Sequence, residues 1–206
     1  CVKYFTAEMG YEVRAVSVNT GGFTDEEIAH NEEKALALGA TSYTNIDAIA
    51  TFYDTVVKYL IFGNVLKNNS YPLSVSAERI VQAIEIAKFA KAQNADAIAH
   101  GSTGAGNDQV RFDMTFQTIV PELEIITPIR DQTLSRKQEI DYLQSHGISW
   151  SWEKAQYSIN QGLWGTSVGG AQTLTSHQTL PEDAYPSQLE ASDSQTIKSG
   201  FTQGEP

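Results

Sequence analysis

The sequence predicts an α/β protein built around a parallel sheet, and two observations carry that expectation. Up to about residue 130, short apolar runs alternate with longer stretches of helical periodicity, the order of successive βαβ units. One of those runs, residues 96–100, feeds directly into the glycine-rich segment 101–106, after which a helix starts at Asn107 or Asp108. A strand, a glycine loop and a helix N-terminus in that order belong at the carboxyl edge of a parallel sheet, where such folds bind ligands.

The elements follow in sequence. Residues 13–18 form an apolar strand ending in the turn Gly21-Gly22. Thr24-x-x-Glu27 is a capping box for a helix that carries Ile28, Ala35 and Leu36 on its inner face and stops at Gly39. Residues 42–46 give a second strand, and Asp47 is placed to cap the next helix. There Phe52, Val56, Tyr59 and Leu60 recur at helical spacing until Gly63. Residues 64–73 read as a polar loop around Tyr71-Pro72. Ser76 opens a long helix whose inner face is Ile80, Ala83, Ile84 and Ala87. Residues 123–127 make a further strand. Ser135-x-x-Gln138 caps another helix, which His146-Gly147 closes. Beyond residue 150 helical periodicity fades and Ser, Thr, Gln and Gly dominate, which suits either an extended arm or the start of a second domain.

Composition narrows the function. The 206 residues exceed the roughly 100–200 of a common domain, so one α/β domain with an appendage is the natural division. Twenty-five acidic against 14 basic residues give a net charge of −11 with no run of Lys or Arg. Such a surface repels phosphate backbones and anionic lipid, which disfavours nucleic acid and membrane partners while leaving room for a small anion held by one or two arginines. No run approaches 18 apolar residues and no basic-then-apolar leader opens the chain, so a soluble protein is expected. Cys1 is the single cysteine and the four histidines are scattered, so no metal-ligand spacing is present.

The chemistry concentrates in Ala99-His-Gly-Ser-Thr-Gly-Ala-Gly-Asn-Asp-Gln-Val-Arg-Phe112. Glycines let backbone N–H groups approach a phosphate or carboxylate, and the helix that follows adds a favourable dipole. Asn107 and Arg111 stand four residues apart on one helix face with Asp108 beside them, a set able to hold a zwitterionic amino acid. The plainer alternative is a tight turn whose Asp108 caps the helix and pairs with Arg111. The segment matches neither the Walker A nor the Rossmann pattern. Elsewhere, Tyr71 also fits a loop aromatic, Ser76 an N-cap, Arg79 a helix-surface ion pair and Trp164 a packing residue. His100 reads as the structural end of its strand.

Residues 100–112 resemble the signature segment of argininosuccinate synthases. Two further segments agree with that family in order and separation: Tyr71-Pro-Leu-Ser-Val-Ser-Ala-Glu-Arg79 and Tyr157-Ser-Ile-Asn-Gln-Gly-Leu-Trp-Gly-Thr-Ser167, followed by Pro181-Glu-Asp-Ala-Tyr185. The resemblance implies a parallel-sheet nucleotide-binding domain of the PP-loop ATP pyrophosphatase type over residues 1–150. Residues 151–206 would then begin a synthetase and oligomerisation domain. It implies a cytoplasmic, homotetrameric, ATP- and Mg2+-dependent ligase of arginine biosynthesis that joins citrulline to aspartate. Residue by residue, Tyr71, Ser76, Asn107, Arg111, Ser158 and Ser167 would contact citrulline. Thr103, Asn107 and Asp108 would contact aspartate, and Val18 and Gly101 would lie against ATP. No general base is identified, and no resident metal site is expected.

Three features depart from the family. The Ser-Gly-Gly-x-Asp-Ser/Thr loop that opens PP-loop enzymes does not occur in the sequence, and Cys1-Val-Lys-Tyr-Phe5 reads as the interior of a helix that should follow it. Family members are about twice this length. Ala105 stands where many carry a lysine. The chain is therefore expected to be truncated at both ends and unable to complete the reaction alone. Another PP-loop adenylating enzyme, or a non-catalytic binding protein, is the alternative.

Overall fold

A computed structural model of the chain describes residues 1–104, 106–150, 157–191 and 193–205. Ala105, whose departure from lysine was noted above, lies outside the described residues. The elements in order are α1 (Val2–Ala7), β1 (Arg14–Asn19), α2 (Asp25–Ala37), β2 (Ser42–Asp47), α3 (Ile49–Phe52), α4 (Lys58–Phe62), α5 (Ser74–Ala92), β3 (Ala97–Ala99), α6 (Asp108–Ile119), β4 (Glu124–Ile126), α7 (Pro128–Asp131), α8 (Arg136–Ser145), β5 (Tyr157–Gly162) and β6 (Gly165–Gly170).

The expected parallel βαβ arrangement forms as two two-stranded ladders. β1 and β2 run parallel from Arg14 opposite Ser42 to Asn19 opposite Asp47, joined through α2. β3 and β4 run parallel, joined through the glycine loop and α6. Their ladder is lengthened at both ends, with the Glu124 N–H donating to Asp96 O at 3.3 Å and the His100 N–H to Ile126 O at 3.2 Å. The longest helix, α5, lies between the two pairs and serves both. Val81 joins Val18, Ala48, Phe52 and Val57 in one core cluster, whereas Ala83, Ala87 and Ala90 join Ile98, Phe116 and Val120 in the other. Alanines on the second face let α5 approach α6 and β3 closely, so the interior is filled by the aromatic and branched residues opposite.

The local signals explain most of the boundaries. Thr24 and Ser135 make complete capping boxes with Glu27 and Gln138, and Gly147 with φ 75° follows the end of α8. Four expectations shift. Leu36 is exposed and Ala35 alone is buried on the inner face of α2. Asp47 acts one residue early: its Oδ1 accepts the Ile49 N–H at 3.0 Å, while Ala48 occupies the cap position. Between α3 and α4 the chain widens into a π-helical turn at Tyr53–Val57, which replaces the i, i+4 stripe by an i, i+5 step. Val57 therefore follows Phe52 into the core in place of Val56, and Tyr59 is turned out. On α5, Ile80 and Ile84 are half-buried while Val81 is enclosed, because the helix is covered from two sides rather than one.

After β4, α8 is tied back to α1. Tyr142 donates to Glu8 at 3.2 Å, and burial together with that carboxylate pushes its phenol up to about 12. Beyond residue 156 the described chain forms the antiparallel β5–β6 hairpin and short 3-10 turns at Ala171–Leu174 and Glu182–Ala184. No helix among the described residues is long and apolar enough to cross a membrane.

Candidate functional site at the carboxyl edge of the strands

The site is assembled where β1 ends, α5 and α6 begin and the hairpin folds back. Beyond β1 the chain passes through Thr20-Gly21-Gly22, and the hairpin tip sits directly on it. The Leu163 N–H donates to Thr20 O at 2.8 Å, and a Cβ at Gly22 would run into the Gln161 carbonyl. Gly21, at φ 97°, leaves room for the Leu163 backbone. Trp164 packs against the Phe52 cluster while its Nε1 donates to Pro72 O at 2.7 Å, the packing role expected for it. A cleft of about 790 Å3 opens beneath, lined among others by Val18, Thr20, Arg79, Gln82, Asn160 and Tyr185.

At its floor lies a buried carboxylate. Glu78 accepts from Thr20 Oγ1 at 2.9 Å and Gln82 Nε2 at 2.8 Å, with Arg79 Nη1 at 3.4 Å, and it lies against Gly162 of the hairpin. Burial pushes the Glu78 carboxyl above its ordinary range, and the Thr20 hydroxyl, the Arg79 charge and the Gln82 amide offset only part of that. The folded state thus holds this proton more tightly than the unfolded chain. The group's stabilising contribution is complete below the ordinary value of 4.5 and is lost as pH rises through the higher folded value. Glu78→Gln keeps the acceptor for Thr20 and Gln82 but cannot ionise. Thermal midpoints of parent and variant should therefore converge near about pH 4 and separate by about pH 8, the variant being the more stable. Midpoints that stay parallel across that range would show that Glu78 does not titrate on unfolding.

Arg79 links this floor to the start of α6. Its Nε lies 3.4 Å from Asp108 Oδ2, its Nη1 3.0 Å from Gln82 Oε1, and its Nη2 donates to Asn160 Oδ1 on β5. The other oxygen of Asp108 takes Arg111 Nη1 at 2.6 Å. One carboxylate therefore stands between two guanidinium groups from different helices. Both charge signs are presented within one small region, as a zwitterion requires. On the hairpin, Asn160 is paired with Ser167, and Ser158 stands two residues from Asn160, so all three share the face that meets Arg79.

Of the residues singled out from the sequence, Asp108 is tied through Arg79 to the hairpin face that carries Ser158 and Ser167. Asp108 and Arg111 are paired, Asn107 is exposed at the N-cap position of α6, and Gly101 and Thr103 are exposed on the loop before it. Val18 is buried at the end of β1 and is the one of these residues that lines the cleft. Ser158 is exposed and Ser167 half-buried on the hairpin. Ser76 is not the helix cap. α5 begins two residues earlier, with Leu73 at φ 60° in the cap position, and the Ser76 hydroxyl donates to Leu73 O at 3.2 Å from inside the first turn. The capping is done instead by Tyr71, whose phenol oxygen accepts the Val75 N–H at 3.1 Å. A tyrosine two residues before an αL cap residue is not a pattern that capping rules recognise, and so the sequence places the helix start too late.

Known proteins resemble this chain along its whole length. Residues 1–149 match the family model described as the arginosuccinate synthase N-terminal HUP domain. The argininosuccinate synthase of Methanocaldococcus jannaschii is 36% identical over all of this chain and 52% of its own length. Those of Sulfurisphaera tokodaii and Lactococcus lactis subsp. cremoris are 35% and 36% identical over 89% of the chain and 47% and 46% of their own lengths. The chain belongs to the argininosuccinate synthase family.

It spans about half the length of the curated relatives it matches. The α/β fold with parallel strand pairs agrees with the HUP class and with the PP-loop type of domain anticipated from the sequence. Among the described residues no three His, Cys, Asp or Glu side chains gather as a metal cage. Residues that the sequence underread are Thr20, Glu78, Gln82 and Asn160. Each is an ordinary polar residue whose role comes from a partner tens of positions away, as with Thr20 and Glu78, 58 residues apart. In this synthase-family chain Arg79, which contacts Glu78, Gln82 and Asn160, gave only the signal of a surface ion pair.

Proposed function

We propose that this chain forms the ATP-, citrulline- and aspartate-binding part of an enzyme that joins L-citrulline to L-aspartate with release of AMP and pyrophosphate. The observation that carries this is the Arg79–Asp108–Arg111 cluster facing the Ser158–Asn160–Ser167 side of the hairpin, in a member of this family. Citrulline offers a neutral ureido group and a zwitterionic end. Hydroxyls of Tyr71, Ser76, Ser158 and Ser167 and the Asn107 amide suit the first, and Arg111 the carboxylate of the second. Thr103, Asn107 and Asp108 would receive aspartate, the Asp108 carboxylate meeting its ammonium group. Val18 and Gly101 would flank ATP at the end of their strands.

The reaction balances in two steps. The ureido oxygen attacks the α-phosphorus of ATP, a P–O bond forms, the bond to pyrophosphate breaks, and citrullyl-AMP results. The aspartate amine then attacks the former ureido carbon, the C–O bond to AMP breaks with its electron pair, and the amine proton is given up. A poor leaving oxygen becomes a good one, so the protein's part is to hold reactants in line and stabilise charge. Mg2+ would travel with the phosphates of ATP, neutralising their charge with few protein ligands, as is usual for that ion. A cytoplasmic homotetramer, with residues 151–206 opening a second domain, completes the proposal. Citrulline labelled with 18O in the ureido group tests the intermediate: the label should appear in AMP, and label found in water or phosphate instead would exclude it.

A further inference from the structure

A second polar chain lies under the glycine loop, outside the residues assigned above. His100 follows β3 and precedes Gly101. Its ring packs on Phe112 and Phe116, with ring centroids 5.5 and 6.2 Å away. Nδ1 lies 3.4 Å from the Ser102 backbone nitrogen, and Nε2 lies 2.8 Å from Asp113 Oδ1. The other oxygen of Asp113 takes Arg130 Nη1 at 2.7 Å, and Arg130 Nη2 donates to Thr127 Oγ1 at 3.0 Å, which in turn donates to Asp131.

The direction of these bonds follows from the one donor that cannot change. A backbone N–H only donates, so Nδ1 must be unprotonated to receive Ser102. The ring proton then sits on Nε2 and points at Asp113, whose carboxylate is itself fixed by Arg130. The sequence runs from α7 through Arg130, Asp113 on α6 and His100 to the second residue of the loop. Ser102 stands between Gly101, placed against ATP, and Thr103, placed against aspartate.

We propose that His100 is a positioning residue for the substrate loop: its neutral Nδ1, held by Asp113 and Arg130, fixes the Ser102 N–H and so the path of residues 101–103. This rests on the function proposed above for what the loop binds, whereas the tautomer does not. The prediction separates two amide replacements. Asparagine places an acceptor near Nδ1 and can still receive Ser102; glutamine reaches the Nε2 position and cannot.

The test uses the full-length polypeptide. In His100→Gln the KM values for ATP and aspartate should rise about three- to tenfold, the loss of one hydrogen bond, while that for citrulline moves less than about twofold. His100→Asn should recover most of that loss. Equal KM values in both variants, with only thermal stability lowered, would overturn the positioning role. Nitrogen-15 NMR of the His100 ring provides a readout independent of activity. A proton on Nε2 and a bare Nδ1 at neutral pH are expected, and a protonated Nδ1 would overturn the proposal even in a fully active enzyme. If the unsubstituted protein forms no AMP with both amino acids, the proposed reaction fails, and the ring tautomer still decides the role of His100.

Discussion

Replacing Arg111 with alanine in the full-length polypeptide should raise the citrulline KM by about tenfold or more, the loss of a charge-assisted hydrogen bond of about 1.5–3 kcal/mol. Arg111 stands three residues from Asp108 on α6 and bonds it at 2.6 Å, so its guanidinium is already oriented before substrate arrives. Removing it leaves Asp108 held by Arg79 alone. Aspartate binding should therefore weaken less than citrulline binding. Lysine at the same position keeps the charge but not the planar fork, and should recover only part of the loss. Initial rates at varied citrulline provide the check, and unchanged citrulline kinetics would remove Arg111 from the substrate site.

Asp108→Asn should act on the other substrate. The carboxylate separates two guanidinium groups, and an amide can accept from one of them while its NH2 faces the other. The expected result is a rise in aspartate KM of about tenfold or more, because the charge that would meet the aspartate ammonium is gone. Citrulline activation should persist, read as citrulline-dependent exchange of labelled pyrophosphate into ATP. Loss of that exchange with aspartate kinetics unchanged would mean that Asp108 serves the first step rather than the second.

Local rules located most of the fold. Thr24, Ser135 and Gly147 mark helix ends through their own side chains or backbone freedom, and the structure places those ends accordingly. Where the sequence misled, a local backbone geometry that no residue signature marks had replaced the expected pattern. The π turn at Tyr53–Val57 breaks a 3.6-residue period that Phe52, Val56 and Tyr59 satisfy on paper. Leu73 and Tyr71 start α5 without any capping signature. The site divides in the same way. Asp108 and Arg111 are legible because both lie on one helix turn. Thr20 meets Glu78 only because α5 packs against the end of β1, and Asn160 meets Arg79 only because the hairpin folds back, and no spacing in the sequence encodes either contact.

The most direct test of the central claim is AMP formation from Mg-ATP by the full-length polypeptide, with citrulline and aspartate supplied separately and together. The proposed reaction expects AMP and pyrophosphate in equal amounts when both amino acids are present, and no sustained turnover when aspartate is left out. AMP formed without citrulline, or none with both amino acids present, would contradict it.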